Sequence, residues 1–226
     1  MSCAADQSRA GPRSLDLAQA IRLLTAAPLT CCLSLAAIVI GLWPSLGQSL
    51  QLERSAVAAG QWWRLFTAHL THWSGEHLFW DLVMFVLLGM IAERRSRVAY
   101  AVCLTVAAVA ISLGMLWTSP LSYRGLSGLA TTSFAFLAAG MLHEQIAAGN
   151  RWGTAILAGL IIGLALKIGY EFWSGQCVLV SAAGSFTPAP LSHVLGALAG
   201  AMVGGWRTQG QTLLQFAAAG TNIGGT

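Results

Sequence analysis

Residues 77–97 read HLFWDLVMFVLLGMIAERRSR, an apolar run whose only ionisable side chains before residue 93 are those of His77 and Asp81. The charged cluster that follows the run marks the place where a helix would leave the hydrocarbon core of a bilayer. A helix satisfies its backbone hydrogen bonds internally, as lipid requires. This stretch therefore predicts a membrane-spanning helix that carries two polar groups.

The composition of the whole chain points to the same environment. Its 226 residues are 56% hydrophobic and 9% charged, whereas soluble proteins are roughly one quarter charged. So few charges cannot cover a water-exposed surface, which excludes a water-soluble monomer. The formal net charge is +4, but only Arg94, Arg95 and Arg97 form a basic cluster. The lipid bilayer is therefore the expected partner, and nucleic-acid binding is not expected.

Charge-poor runs recur along the chain, near the length of about 20 residues that a bilayer crossing needs. The predicted spans are 27–47, 77–92, 98–117, 127–142, 152–170 and 191–206. The expected fold class is all-α, a polytopic membrane protein with a bundle of six transmembrane helices. The expected organisation is a cytoplasmic N-terminal segment over 1–26, the membrane domain over 27–206 and a flexible cytoplasmic tail over 207–226.

The orientation follows from the positive-inside rule. With the N-terminus inside, eight arginines outside the spans, the cluster at 94–97 among them, fall on the inner side and three on the outer side. Both termini are then cytoplasmic in a multi-pass protein of the cell inner (plasma) membrane. The connections 48–76, 118–126 and 171–190 are external.

Four ionisable residues inside or beside the spans are candidate functional groups, because such groups are costly in lipid. His77 and Asp81 are separated by one helical turn, so they share a face and either join helices as a pair or line a cavity. His193 alone is more often a structural hydrogen-bonding group than a catalyst. Lys167 is placed near the inner end of its span, where its stem would reach the interface.

A serine flanked by glycines lies in RGLSGLATTS (124–133), where Gly125, Ser127 and Gly128 mark the start of the fourth span. Serine at a helix start is usually an N-cap, but a helix N-terminus can also stabilise an oxyanion beside a nucleophile. His193 falls at the same outer end and can serve as the base. The small residues that follow it in HVLGALAGAMVGG (193–205) allow another helix to approach closely.

Three segments together resemble the rhomboid intramembrane serine proteases, six-helix membrane enzymes with a serine/histidine dyad. They are WWRLFTAHLTHWSGEHLFWDLVMFVLLGMIAERRSR (62–97), GLSG (125–128) and HVLGALAG (193–200). The resemblance implies that Ser127 is the nucleophile and His193 the general base. It assigns oxyanion stabilisation to His77, Asp81 and Gly128. It assigns structural roles to Trp63, Arg64, Glu93, Gly125 and Gly196.

Two positions depart from the family pattern. Asp81 stands where the family has an asparagine whose amide lies near the oxyanion. A carboxylate there would repel the oxyanion, so Asp81 must be protonated, turned away or paired with His77. Thr131 stands where many members have an aromatic ring packed on the base histidine, which leaves the orientation of His193 open.

The resemblance implies an intramembrane serine protease that hydrolyses peptide bonds in or next to transmembrane segments of membrane protein substrates. The chain is similar to minimal bacterial-type rhomboids, and the rhombosortases are one such subgroup. A two-residue dyad is expected, because no carboxylate in the sequence obviously orients His193. No metal or organic cofactor is implied. The alternatives are an inactive rhomboid-like protein that binds membrane helices, and a small proton-linked transporter that uses His77, Asp81 and Lys167.

Overall fold

The structure, a computed structural model, describes residues 25–118, 122–178 and 188–221, with side chains described as far as Trp206. Its helices are α1 (Pro28–Leu42), α2 (Pro44–Leu50), α3 (Arg54–Ala58), α4 (Arg64–Thr67), α5 (Gly75–Arg95), α6 (Arg97–Thr118), α7 (Ser127–Ala147), α8 (Arg151–Ser174) and α9 (Pro190–Thr221). A 3₁₀ turn covers Ala68–Leu70, and two short strands, β1 (Leu52–Glu53) and β2 (Ser122–Tyr123), pair antiparallel.

The expected all-α membrane architecture is confirmed, and a helix lies over each predicted span. Among the described residues, however, only α5, α6 and α8 are long and apolar enough to count as spans by length and composition. Helix α7 is the main departure, because polar and small residues such as Ser127, Thr132 and Ser133 lower its hydropathy. Thr132 and Ser133 face other helices rather than lipid, since both are fully buried.

The first predicted span, 27–47, is broken. Helix α1 ends at Leu42, and α2 begins at Pro44 with its axis turned by 117°. Proline lacks an amide hydrogen and disfavours the helical conformation in the residue before it, so the chain bends at Trp43. The pair would count as a fourth span only if the two helices are taken together.

Helix α7 is the central helix of the bundle, and α8 is peripheral. Nearly half of α7 is buried, whereas Leu157, Ile168 and Glu171 are the only buried residues of α8. The rest of α8 presents large apolar side chains outward, as a lipid-facing helix does. A buried carboxylate on such a helix is unusual and identifies an internal polar contact.

Helices α7 and α9 touch through their backbones. A Cβ added at Gly196, Gly200 or Gly204 would overlap the carbonyl oxygens of Gly128, Thr132 and Phe136, respectively. These glycines are spaced by four residues and form one stripe along α9, which confirms the close helix approach expected from the small residues. The contact fixes the start of α7 against the start of α9.

Helix α9 is longer than the predicted sixth span. Its backbone continues to Thr221, within the segment 207–226 that is predicted to be a cytoplasmic tail. Its Leu, Gln and Ala residues are good helix formers, which the low hydropathy of the segment obscured. The expected N-terminal segment lies almost wholly outside the described residues, as do residues 179–187 of the connection 171–190.

Candidate active site

Ser127 is the first residue of α7, and the loop before it is held from several sides. Gly125 has φ +135°, a backbone conformation that favours glycine, and its carbonyl accepts a 3.0 Å hydrogen bond from the Tyr123 hydroxyl. A Cβ at Gly125 would lie 3.2 Å from Nε2 of His77. Gly125 thus lets the backbone pass close to a polar side chain of α5.

Contacts with the connection 48–76 fix the same loop. Strand β1 pairs with β2, so that Leu52 lies opposite Tyr123. The guanidinium of Arg124 donates to Oε1 of Gln51 at 2.8 Å and to the carbonyl of His72 at 3.2 Å. It also lies over the ring of Trp73, 4.4 Å from its centroid. The loop before Ser127 is therefore built from pairings that are distant in sequence.

Asp81 contacts the backbone of Ser127 directly. Its Oδ2 accepts hydrogen bonds from the amides of Leu126 and Ser127, each at 3.0 Å. The same oxygen lies 3.2 Å from Nε2 of His77 and 3.2 Å from Nε2 of His72. Of the three arrangements expected for Asp81, the structure has the pairing with His77, with His72 as a second histidine. Amides can only donate, so Oδ2 acts as an acceptor that holds the start of α7.

His72 is a site residue that the sequence reasoning missed. Burial lowers its pKa, a shift that the nearby Asp81 carboxylate opposes. Its ring packs edge-on against the ring of His77, with centroids 5.1 Å apart. The sequence held a weak signal, because His72 lies five residues before His77 in the motif that carries the resemblance.

Ser127 and His193 line the same cavity, whose volume is about 950 Å³. A Cβ at Gly128 would lie 3.3 Å from the carbonyl oxygen of Ser192, so the two candidate residues each adjoin a close contact between α7 and α9. The described structure has no hydrogen bond between Ser127 and His193. The other polar lining groups include His77, Asp81, Lys167 and Glu171.

The orientation of His193, left open by the sequence, is set by Glu171. Nδ1 of His193 lies 2.9 Å from Oε2 of Glu171, a side chain that is 3% exposed. The expectation that no carboxylate orients His193 is therefore wrong. Glu171 lies just past the predicted end of the fifth span at residue 170 and was counted as part of an external connection. Its position one helical turn after Lys167 was the available signal.

Lys167 also departs from its expected place. Its Nζ donates to Oε1 of Glu171 at 2.7 Å and lies 3.4 Å from Nδ1 of His193. Helix α8 begins at Arg151, immediately after α7 ends, and returns toward the start of α7. Lys167 is therefore at the same end of the bundle as His193, and its assignment to the opposite end is wrong.

Two of the residues expected to be structural, Trp63 and Arg64, lie away from the cavity. Arg64 is buried, and its guanidinium donates to the carbonyl of Gln51 and to Oε1 of Gln61, each at 2.7 Å. The neighbouring Trp63 is 53% exposed. Arg64 thus joins parts of the connection 48–76, whereas Trp63 projects away from the protein.

Glu93 closes the opposite end of α5. Its carboxylate accepts hydrogen bonds from the amides of Leu29 and Thr30 at 2.9 and 2.8 Å, and from the Thr30 hydroxyl at 2.8 Å. Amides in the first turn of a helix have no partner within it, so Glu93 caps α1 from a distance.

The site combines a hydroxyl at a helix N-terminus, an imidazole held by a carboxylate, and histidines near the first amides of that helix. This set suits acyl transfer by a serine nucleophile. Within the described residues, no group of three or more His, Cys, Asp and Glu side chains could hold a metal ion.

The sequence was compared with known protein families and with curated proteins. A family model described as a Rhomboid domain matches residues 59–209, which include all the residues of the cavity named above. No curated protein matches the chain.

Proposed function

The chain belongs to the rhomboid family, and on that premise we propose that it is an intramembrane serine protease with membrane proteins as substrates. The proposed reaction is hydrolysis of peptide bonds in or next to transmembrane segments. One observation carries the proposal: Ser127 and His193 open into a single cavity at the place where α7 and α9 touch. That cavity has Trp80, Met84 and Leu164 among its apolar lining residues, which suit an apolar peptide segment.

In the proposed mechanism, Oγ of Ser127 attacks the carbonyl carbon of the substrate. Nδ1 of His193 faces Glu171, so Nε2 is the nitrogen left to take the hydroxyl proton. The proton then passes to the leaving amine as the acyl-enzyme forms. Water next attacks the acyl-enzyme, His193 takes the proton of the water, and that proton returns to Oγ of Ser127 as the acid product leaves. Proton transfer requires Oγ and Nε2 to approach to about 2.6–3.2 Å in the competent state.

For the oxyanion, the proposed donors are the amide of Gly128 and the side chain of His77, whose Nε2 would exchange its 3.2 Å contact with Oδ2 of Asp81 for the substrate oxygen. The amide of Ser127 is engaged by Asp81, whereas no acceptor contacts the amide of Gly128 among the described residues. The first turn of α7 also carries the positive end of the helix dipole. Asp81 is then proposed to support the site indirectly, because it holds the amides of Leu126 and Ser127 in place.

The proposed location is the plasma (inner) membrane, with both termini cytoplasmic and the site near the external side. The distribution of Lys and Arg residues supports this orientation. The polar groups around Ser127 support a cavity that water can enter from that side, as hydrolysis requires.

The test is cleavage of a fluorogenic transmembrane substrate by the full chain in liposomes. Ser127→Ala and His193→Ala are expected to abolish cleavage, whereas Ser49→Ala, which changes an exposed serine of α2, leaves it unchanged. A fluorophosphonate should label Ser127 and should fail to label it in His193→Ala. Undiminished cleavage by folded Ser127→Ala would overturn the proposal.

The same experiment separates the two alternatives. An inactive rhomboid-like protein would bind the substrate helix without cutting it or reacting with the fluorophosphonate. A proton-linked transporter would dissipate a pH gradient across the liposome in a manner that depends on Asp81 and not on Ser127.

A further inference from the structure

We propose that Glu171 is the positioning carboxylate of the base histidine, so that the site works as a Ser127–His193–Glu171 triad. This inference rests on the proposed function. Glu171 is one of the few buried residues of α8, and its Oε2 lies 2.9 Å from Nδ1 of His193 on α9. A carboxylate buried in a lipid-facing helix needs a partner inside the protein, and His193 supplies one.

The second oxygen of the carboxylate is also engaged. Oε1 accepts a 2.7 Å hydrogen bond from Nζ of Lys167, whose side chain is 31% exposed. Both oxygens of Glu171 therefore have a donor, which fixes the plane and the position of the group. Lys167 offsets the negative charge, and its own charged end keeps access to the cavity.

The geometry selects one tautomer of His193. Lysine ammonium can only donate, so a hydrogen bond from Lys167 to Nδ1 would require Nδ1 to be an acceptor. Nδ1 lies 2.9 Å from Oε2 of Glu171 but 3.4 Å from Nζ of Lys167, and the shorter contact is the one with the acceptor. Nδ1 therefore carries the hydrogen and donates to Glu171. This leaves the lone pair on Nε2, the nitrogen that the mechanism needs.

A carboxylate in this position has a second effect on the reaction. When Nε2 takes the proton from Ser127, the imidazole becomes positively charged, and the adjacent carboxylate stabilises that charge. Glu171 itself touches neither the substrate nor the reacting atoms. It acts through His193, which in turn takes the proton from the hydroxyl of Ser127.

Several other titratable groups lie around this cavity and bear on any pH dependence. Lys167 is on α8 with Glu171, and Cys177 follows the same helix. His77 and Asp81 line the cavity from α5, and Tyr123 precedes α7. The experiment therefore needs one variant that removes a negative charge next to His193 and one that removes a positive charge. Opposite shifts of the pH profile would identify His193 as the group that responds.

The experiment compares Glu171→Gln, Glu171→Asp and Lys167→Met in the full chain in liposomes. Glu171→Gln is expected to lower kcat by about 10²- to 10⁴-fold with little change in KM. The acid limb of its pH–kcat profile should move to lower pH, because a negative charge that favours the imidazolium is lost. Lys167→Met should move the limb to higher pH, and Glu171→Asp should restore part of kcat. Glu144→Gln, which breaks only an ion pair with Arg95 at the other end of α7, is the matched control and should change neither quantity.

A second readout does not require turnover. Nitrogen NMR of labelled histidine should show the Nδ1–H tautomer of His193 in the parent protein and a mixture of tautomers in Glu171→Gln. A folded Glu171→Gln with the parent pH profile and an unchanged tautomer would overturn the triad. A loss of kcat that accompanies unfolding, with no shift of the acid limb, would reduce Glu171 to a structural role and likewise overturn it. If the parent protein neither cleaves nor reacts with a fluorophosphonate, the proposed function fails instead, and the NMR result shows separately whether Glu171 orients His193.

Discussion

The amide of Ser127 donates a 3.0 Å hydrogen bond to Oδ2 of Asp81, so a carboxylate of α5 fixes the residue on which the proposed chemistry depends. The amide of Leu126 shares the same oxygen. Asp81 is thereby an anchor for the start of α7, although it occupies a position where the family carries an asparagine.

We expect Asp81→Asn to retain or improve cleavage. The side-chain oxygen of asparagine can accept both amide hydrogen bonds, and the loss of negative charge removes a repulsion from the oxyanion. Asp81→Leu should lower activity by at least about tenfold, because the amide of Ser127 loses its acceptor, at a cost of about 1–3 kcal/mol, and the amide of Leu126 keeps only Nε2 of His72 at 3.3 Å. Initial rates in liposomes, with circular dichroism to confirm folding, measure both effects. Complete inactivity of a folded, normally expressed Asp81→Asn would show that the carboxylate itself is required.

Gly200→Ala should destabilise the bundle. The new Cβ would overlap the carbonyl oxygen of Thr132, and a backbone atom of a buried helix cannot move away cheaply. Overpacking of this kind costs about 1–3 kcal/mol. Gly205→Ala is the matched control on the same helix, because a Cβ there meets no atom within 4 Å. Thermal unfolding in detergent should give a lower Tm for the first variant alone, and equal Tm values would contradict the backbone contact.

Glu93→Ala should unfold more easily while the folded fraction keeps its activity. The substitution removes the acceptor of the Leu29 and Thr30 amides and of the Thr30 hydroxyl. We expect a loss of about 2–4 kcal/mol, since hydrogen bonds to charged groups are worth about 1.5–3 kcal/mol each. Glu144→Ala, which loses a surface ion pair, should cost less than about 1 kcal/mol. Denaturant titration monitored by tryptophan fluorescence compares the two, and a smaller loss for Glu93→Ala would refute its role as a cap.

His69 should make the stability fall in mild acid. It is buried in the connection 48–76, where Nε2–H donates to the carbonyl of Ala108 at 3.1 Å, and burial lowers its pKa to about 4. In the unfolded chain the pKa of His69 is near 6.5. The free energy of unfolding is therefore greatest above pH 6.5, falls as the pH is lowered toward 4, and is constant below that pH as far as His69 is concerned. The loss amounts to up to about 3 kcal/mol. Unfolding between pH 4 and 7 should depend less on pH in His69→Gln than in the parent, and parallel curves would contradict this assignment.

Much of the fold could be predicted from the sequence, because a membrane helix corresponds to one continuous apolar run of residues. The apolar run at 77–97 and its equivalents predicted the helices over the six spans, and the glycines after His193 predicted the backbone contact with α7. The bend at Trp43 was also encoded, in Pro44, but low charge over 27–47 obscured it. The central place of α7 was hidden, because hydropathy cannot distinguish a helix surrounded by other helices from one that is merely polar.

The sequence by itself determined the membrane environment and the helical architecture, since both are properties of composition and of the length of apolar runs. The pairing of GLSG with a later histidine stays a prediction from short motifs. Tertiary structure alone decided that Asp81 holds the amide of Ser127, that His72 also contacts Asp81, and that Glu171 faces His193. The contacts of Asp81 with Ser127 and of Glu171 with His193 join residues tens of positions apart, and they depend on the directions in which α5, α8 and α9 present their side chains. The spacing of residues along one helix does not determine these directions, because they depend on how the helices pack against each other.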